Sequence, residues 1–389
     1  MLNIDYIKKY IKIICVQSFL ILLIIELLFL IIYKFNLLTL SEIYTPSYIR
    51  EGVQAELVFD KNGSSIYVNG KKSYFSSRNY DKFGFMNGDY EKIKKSNKLW
   101  YFFGDSYTEG LQVSKKDTFS DLLEKTISKK KQSVDIINLG VGGTGTFQSL
   151  LRLKTLLEIK KPKKVVLFFL PLNDVMNNSK AYAKTENLPK ASYTNSKDFP
   201  KVTFTYNQQI EILKKPQNIF IKTLTLIAKN LFSGRILYSQ YKQYKAKKLY
   251  EESQNKDEPF IPKDMRSWLN VYNKPNNNIM NEAWEITEKS ILEFFNILEK
   301  IDIDFSMVIT PDAMQIFHYK NPISNYDFEY PNIRLMKFCR AKKITCYDAL
   351  PYFKKYLDEK NITFPYFSYK NDGHYSNVGH RVMTNYLYE

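Results

Sequence analysis

The sequence predicts an α/β fold of three layers: helices on both faces of a five-stranded, mainly parallel sheet, preceded by one transmembrane helix. Three observations predict it. Short apolar runs alternate with segments of helical period, the pattern of strands linked by crossover helices. An apolar stretch near the N-terminus is as long as a bilayer's hydrocarbon core. Polar and glycine-rich clusters follow the strand-like runs directly, at the edge where a parallel sheet holds its ligands. The chain has 389 residues, 44% hydrophobic and 25% charged, ordinary globular values that exclude wholesale disorder.

The first element is Ile13–Tyr33, whose clearly polar members are Gln17, Ser18 and Glu26. It is roughly 30 Å long as a helix. That exceeds the apolar region of a cleaved signal peptide, and no small-residue cleavage site follows. Residues 13–33 are therefore expected to be an uncleaved signal anchor. Lys8, Lys9 and Lys12 precede the span while Lys34 alone follows closely. The positive-inside rule puts residues 1–12 in the cytoplasm and the bulk of the chain outside it, in the periplasm or at the cell surface. Glu26 costs a few kcal/mol there unless it is paired or protonated. A partner helix and a neutral carboxyl beside other polar groups both remain open.

Residues 34–95 are expected to be a connector, with a β-hairpin in Val53–Gly70 around Asn62-Gly63 and an aromatic ordered loop over Arg78–Tyr90. The domain proper runs over 96–389. LWYFF (Leu99–Phe103) starts it, and a helix follows near Thr118–Ser128. VDIINLG (Val134–Gly140) precedes a helix near Phe147–Lys160, and KVVLFFL (Lys164–Leu170) precedes a long insertion, 176–280. Its length suggests a lid or substrate-binding element. Within it, Asn218–Tyr250 has amphipathic helical period with Lys242, Lys245, Lys247 and Lys248. A solvated face is the preferred reading, ahead of a surface for anionic lipid or acidic glycan. A helix near Glu282–Lys300, the strand FSMVIT (Phe305–Thr310), a helix near Tyr330–Arg340, the strand ITCYD (Ile344–Asp348) and a last helix near Asn377–Leu387 complete the order.

Composition narrows the chemistry. Three cysteines, Cys15, Cys339 and Cys346, exclude a disulfide scaffold and a four-cysteine zinc site. Three histidines leave little room for a histidine-rich metal centre. Cys339 and Cys346 fall on an expected helix and the next strand, on the oxidising side, where a disulfide forms if their Cα separation allows it. The net charge of +17 suits nucleic acid, an anionic membrane face or an acidic polymer. The expected topology removes nucleic acid from that set.

Four polar motifs sit after the strands. GDSYTEG (Gly104–Gly110) places Ser106 at a strand-to-helix turn, where its hydroxyl is exposed and a helix N-terminus favours negative charge. A plain helix cap explains such a serine equally well. NLGVGGTGTFQ (Asn138–Gln148) can turn backbone N–H groups toward a ligand, but it lacks the lysine of a P-loop and does not match the dinucleotide fingerprint. PLND (Pro171–Asp174) offers a side-chain amide suited to an oxyanion, or a simple cap. DGHYSNVGH (Asp372–His380) puts a carboxylate two residues from the imidazole of His374. His380 is expected to pack in the last helix, and His318 either lines the site or lies on a loop.

In this order the four motifs resemble the blocks of the SGNH/GDSL hydrolase superfamily, over roughly residues 75–389. NYDKFGF (Asn79–Phe85) looks like the entry segment of its membrane-anchored members. The resemblance implies a flavodoxin-like sheet of the SGNH type and a serine mechanism without cofactor. It implies Ser106 as nucleophile, His374 as base and Asp372 as its orienter. The oxyanion hole would comprise the Ser106 N–H, the Gly143 N–H, with Gly142 as the alternative, and the Asn173 side chain. Two departures stand out. Pro171 replaces the usual glycine of the third block, and the last block reads D-x-H where D-x-x-H is common, resembling envelope members that act on polysaccharides.

The expected function is ester hydrolysis or O-acyl transfer on an acylated cell-envelope glycan or lipid, acetyl or another acyl group, with hydrolysis and transfer both open. The protein would be held to the membrane by residues 13–33 and could work with envelope-assembly partners. The alternative is a non-catalytic SGNH-like subunit that binds acidic polysaccharide in an assembly complex.

Overall fold

The computed structural model describes residues 4–35, 63–68, 71–77, 89–130, 133–178, 231–234, 237, 263–362, 366–369 and 373–389. The chain divides into two compact units. In the smaller lie the helix Ile4–Lys34 and residues 231–234. One stretch of that helix, Lys9–Ile32, is long and apolar enough to cross a membrane. Its one acidic side chain, Glu26, accepts hydrogen bonds from the Phe232 and Ser233 N–H groups within the same unit. The partner that the sequence left open is thus a short segment of this chain.

Two paired strands, β1 (Gly63–Val68) and β2 (Lys71–Ser77), flank Asn69-Gly70. Residues 53–62, the first half of the hairpin expected around Asn62-Gly63, lie outside the described residues. Residues 78–88, most of the expected aromatic loop, lie outside the described residues, and its end belongs to a helix, Asp89–Lys95.

The larger unit holds a five-stranded parallel sheet of β3 (Leu99–Gly104), β4 (Asp135–Gly140), β5 (Lys164–Phe169), β6 (Asp304–Ile309) and β7 (Cys346–Asp348), in the order β4-β3-β5-β6-β7. Strands β3 to β6 are almost wholly buried because helices cover both faces, whereas the edge strand β7 is partly exposed. Alternate side chains go to opposite cores. Tyr101, Phe103, Ile137, Leu139, Val165, Leu167 and Met307 meet the helices Thr146–Ile159, Asn278–Lys300 and Tyr330–Lys342 on one face. Phe102, Ile136, Val166, Phe168 and Val308 meet Phe119–Lys129, Leu350–Lys360 and Asn377–Tyr388 on the other. These are the three layers expected.

Five described helices had no counterpart in the sequence reading: Asp89–Lys95, Ser106–Glu109, Pro171–Asn178, Ala313–Lys320 and Leu350–Lys360. A 3-10 helix, Lys263–Tyr272, falls within the stretch 176–280, whose residues 179–230 and 238–262 lie outside the described residues. Cys339 on Tyr330–Lys342 and Cys346 on β7 form a disulfide, with Cα atoms 6.1 Å apart.

Candidate active site

The strand order reverses at β3: β4 lies on one side of it and β5 on the other. A crevice opens at such a switch point, beyond the strands' carboxyl ends. Ser106 follows β3 there, Gly142 and Gly143 follow β4, and Asn173 follows β5. These residues and His374 are half-buried, although their immediate neighbours are mostly buried.

Ser106 is the first residue of the helix Ser106–Glu109, so its N–H has no intrahelical partner. Close packing sets this helix against the sheet. A Cβ on Gly140 would stand 2.3 Å from the Glu109 backbone nitrogen, which only glycine avoids. Asn138 ties the two elements together. Its amide donates to the Thr108 carbonyl at 2.7 Å and to Ser120 Oγ at 3.1 Å, while its oxygen accepts the Gly140 N–H at 3.0 Å.

His374 Nε2 lies 2.8 Å from Ser106 Oγ. The loop that carries His374 is held from several sides. Tyr107 O–H donates to the Gly373 carbonyl at 2.9 Å, and its ring packs on His374 with centroids 4.9 Å apart. Tyr375 O–H donates to the Pro311 carbonyl at 2.6 Å. The Tyr369 N–H donates to the His374 carbonyl at 2.9 Å. Asp372, the expected orienter, lies outside the described residues.

Two buried carboxylates frame the opposite side. Asp105 caps the short helix by accepting the Tyr107 N–H at 2.9 Å, and its other oxygen accepts the Asn173 amide at 2.8 Å. Burial pushes the Asp105 carboxyl up to about 6, against the opposing pull of those two donors and of nearby His374. Glu109 accepts the Gly142 N–H at 2.7 Å. Gly143, next in the chain, has a φ of +69°, a conformation that favours glycine. Pro171 opens the helix Pro171–Asn178, a position whose N–H would have no intrahelical partner, so it replaces a glycine without losing a bond. Asp174 accepts the Leu170 N–H at 2.7 Å and the Thr146 hydroxyl at 3.1 Å. Burial, and then the Asp105 charge, push its carboxyl well above the usual range.

The structure therefore brings Ser106, Gly142, Gly143, Asn173 and His374 to one edge. It leaves two histidines out. His380 is fully buried, its Nδ1 accepts the Phe119 N–H at 3.3 Å, and it stacks on Phe119. His318 stacks on Phe328, with its Nδ1 2.9 Å from the Asn321 carbonyl oxygen. The sequence reading missed Asp105, Tyr107, Glu109 and Asn138. A polar residue inside an otherwise buried motif was the available signal for each.

Residues 102–246 match the model of the GDSL-like Lipase/Acylhydrolase family. The matched stretch holds Ser106, Gly143 and Asn173 and ends before His374. No curated protein matches the chain. Similar solved structures include an acetyl xylan esterase at 13% identity, covering 75% of this chain and 98% of that one with a TM-score of 0.38. An acetylxylan esterase from Geobacillus stearothermophilus matches at 11% identity, 76% and 94% coverage and a TM-score of 0.39. A lipase/acylhydrolase from Enterococcus faecalis matches at 16% identity, 75% and 93% coverage and a TM-score of 0.35. Residues 102–246, which carry Ser106, the end of β3 and strands β4 and β5 of the five-stranded parallel sheet, thus resemble a GDSL-like lipase/acylhydrolase domain.

Proposed function

We propose that this protein cleaves or transfers an acyl ester through a covalent Ser106 intermediate. The 2.8 Å contact between Ser106 Oγ and His374 Nε2 carries the reading. His374 takes the Ser106 proton as Oγ attacks the ester carbonyl, and then returns it to the leaving alkoxide. Asp372 fills the orienting role. The oxyanion of the tetrahedral intermediate is held by the Ser106 N–H, the Gly143 N–H and the Asn173 amide, each donor worth about 2.7–4 kcal/mol in such a hole. Two contacts support this donor set. The Gly142 N–H is already given to Glu109, which favours Gly143. One N–H of the Asn173 amide is fixed on Asp105, which aims its second donor. Water then accepts the acyl group, or a sugar hydroxyl does.

The substrate class follows from location. Lys9–Ile32 anchors the protein with its N-terminus in the cytoplasm, and the α/β domain works on the other side. The Cys339–Cys346 disulfide supports that placement, because such bonds persist in oxidising compartments. The ester is then one on an envelope glycan or lipid, with an acetyl or other acyl group. The test compares wild type with Ser106→Ala on a chromogenic acetyl ester. The variant is expected to lose kcat by about 10⁴-fold or more, and equal rates refute the serine mechanism.

A further inference from the structure

Glu26 is the one charged residue between Lys12 and Lys34. Its Oε2 accepts the Phe232 N–H at 2.8 Å, and its Oε1 accepts the Ser233 N–H at 3.3 Å. The Ser233 hydroxyl donates to the same carboxylate. Three donors from one short segment, 206 and 207 residues away in sequence, thus converge on one acid. Glu26 lies six residues before Ile32, the C-terminal end of the membrane-length stretch. At 1.5 Å per residue that is about 9 Å inside the end.

Two requirements meet at that depth. A carboxylate in hydrocarbon is costly unless donors surround it. Backbone N–H groups at the start of a helical turn find no partner in lipid. The contact meets both. The same segment leaves Leu231 and Leu237 39% and 63% exposed, apolar surface that lipid solvates more favourably than water. The sequence before it, NIFIKTLTLIAKNLF (Asn218–Phe232), carries only two charges, Lys222 and Lys229.

We propose that the segment around Leu231–Ser233 is a second membrane element, seated among the acyl chains of the bilayer, and that Glu26 is the latch that holds it there. The proposal rests on Lys9–Ile32 being a membrane span. It makes part of the insertion lipid-embedded, where its lysines alone had suggested a solvated face.

The test uses the full chain in vesicles of phosphatidylcholine and phosphatidylglycerol, with Cys15→Ala so that a nitroxide labels one introduced cysteine. Labels go at Leu231→Cys, at Ile25→Cys within the span and at Lys355→Cys on the exposed surface of the larger unit. Oxygen should relax the labels at 231 and 25 while a water-soluble nickel chelate reaches only 355. Glu26→Leu should raise chelate access at 231 several-fold and leave 25 shielded. Glu26→Gln, whose amide oxygen still accepts, should keep 231 shielded. A label at 231 as open to the chelate as 355, with 25 shielded, overturns the proposal alone. A label at 25 that is also open overturns the span and the proposal with it. Unchanged shielding at 231 in Glu26→Leu overturns the latch.

Discussion

Replacing Asp105 by Asn should make the protein more stable and much slower. The carboxyl is fully buried, and its pKa is pushed from 3.8 to about 6, chiefly by burial. A group raised in the folded state contributes stability below its unfolded value and loses it as pH rises through the folded value. Wild type therefore carries the full cost above about pH 6, close to 3 kcal/mol from that difference. Asparagine has no charge to bury and still caps the helix by accepting the Tyr107 N–H. Its amide nitrogen, however, faces the Asn173 amide nitrogen, two donors that repel. That conflict costs about 1 kcal/mol and leaves a net gain near 2. For a domain of roughly 300 residues, this raises Tm by about 3 °C at pH 7.5. At pH 4 the wild-type carboxyl is protonated and the gain disappears. Freed from its acceptor, Asn173 turns away from the oxyanion, and kcat should fall by about 10²–10³-fold. Thermal denaturation of the detergent-solubilised chain at both pH values, with ester hydrolysis kinetics, checks both halves. A variant that melts below wild type at pH 7.5, or that keeps kcat within a few-fold, refutes the reasoning.

Glu109→Leu removes the acceptor of the Gly142 N–H, a charged hydrogen bond worth about 1.5–3 kcal/mol. It should lower kcat roughly ten- to a hundredfold with little change in KM, whereas Glu109→Gln should stay within a few-fold; a change confined to KM would contradict the positioning role. Tyr107→Phe loses the bond to the Gly373 carbonyl and should cost about 1 kcal/mol in a melting experiment. It should also slow hydrolysis several-fold, because the loop carrying His374 loosens. Cys346→Ala opens a crosslink between residues seven apart and should destabilise by about 2.5 kcal/mol on the loop-entropy estimate. Reductant should lower the melting temperature of wild type by the same amount and leave the variant unmoved.

The sheet was legible because its strands are buried on both faces and read as continuous apolar runs, as in LWYFF and VVLFF. The missed helices hid for local reasons. Ser106–Glu109 and Ala313–Lys320 begin almost at strand ends and are short enough that their aspartate caps, Asp105 and Asp312, were the main signal. In Leu350–Lys360, Pro351 reads as a breaker, yet it stands in the first turn where proline is tolerated, and Leu350, Phe353 and Leu357 make the buried stripe. The half-buried residues at the sheet edge were visible as glycine and polar clusters after strands. Their supports were not, since Glu109 meets Gly142 across 33 residues and Tyr107 meets Gly373 across 266. Glu26 was legible as an anomaly, but its partner lies 206 residues away, beyond any local pattern.

The proposed oxyanion donors share one construction, and it explains why costly groups sit where they do. Gly143 follows a residue pinned by Glu109, Asn173 is pinned by Asp105, and the Ser106 helix is tied to β4 by Asn138. Each support is a polar side chain at least 97% buried, and burying such a group carries a desolvation cost that its hydrogen bonds must offset. Burial pushes the Asp105 carboxyl upward, in the direction such a cost requires. Water could solvate the developing oxyanion equally well in number of bonds, but it must reorganise as the charge forms. Donors fixed beforehand need not, and the saving appears in the barrier. A chain that only bound its ligand would gain nothing from holding these donors rigid. The two buried carboxylates beside Ser106 therefore favour catalysis over the non-catalytic binding alternative more strongly than the serine does, because serine alone also makes a good helix cap.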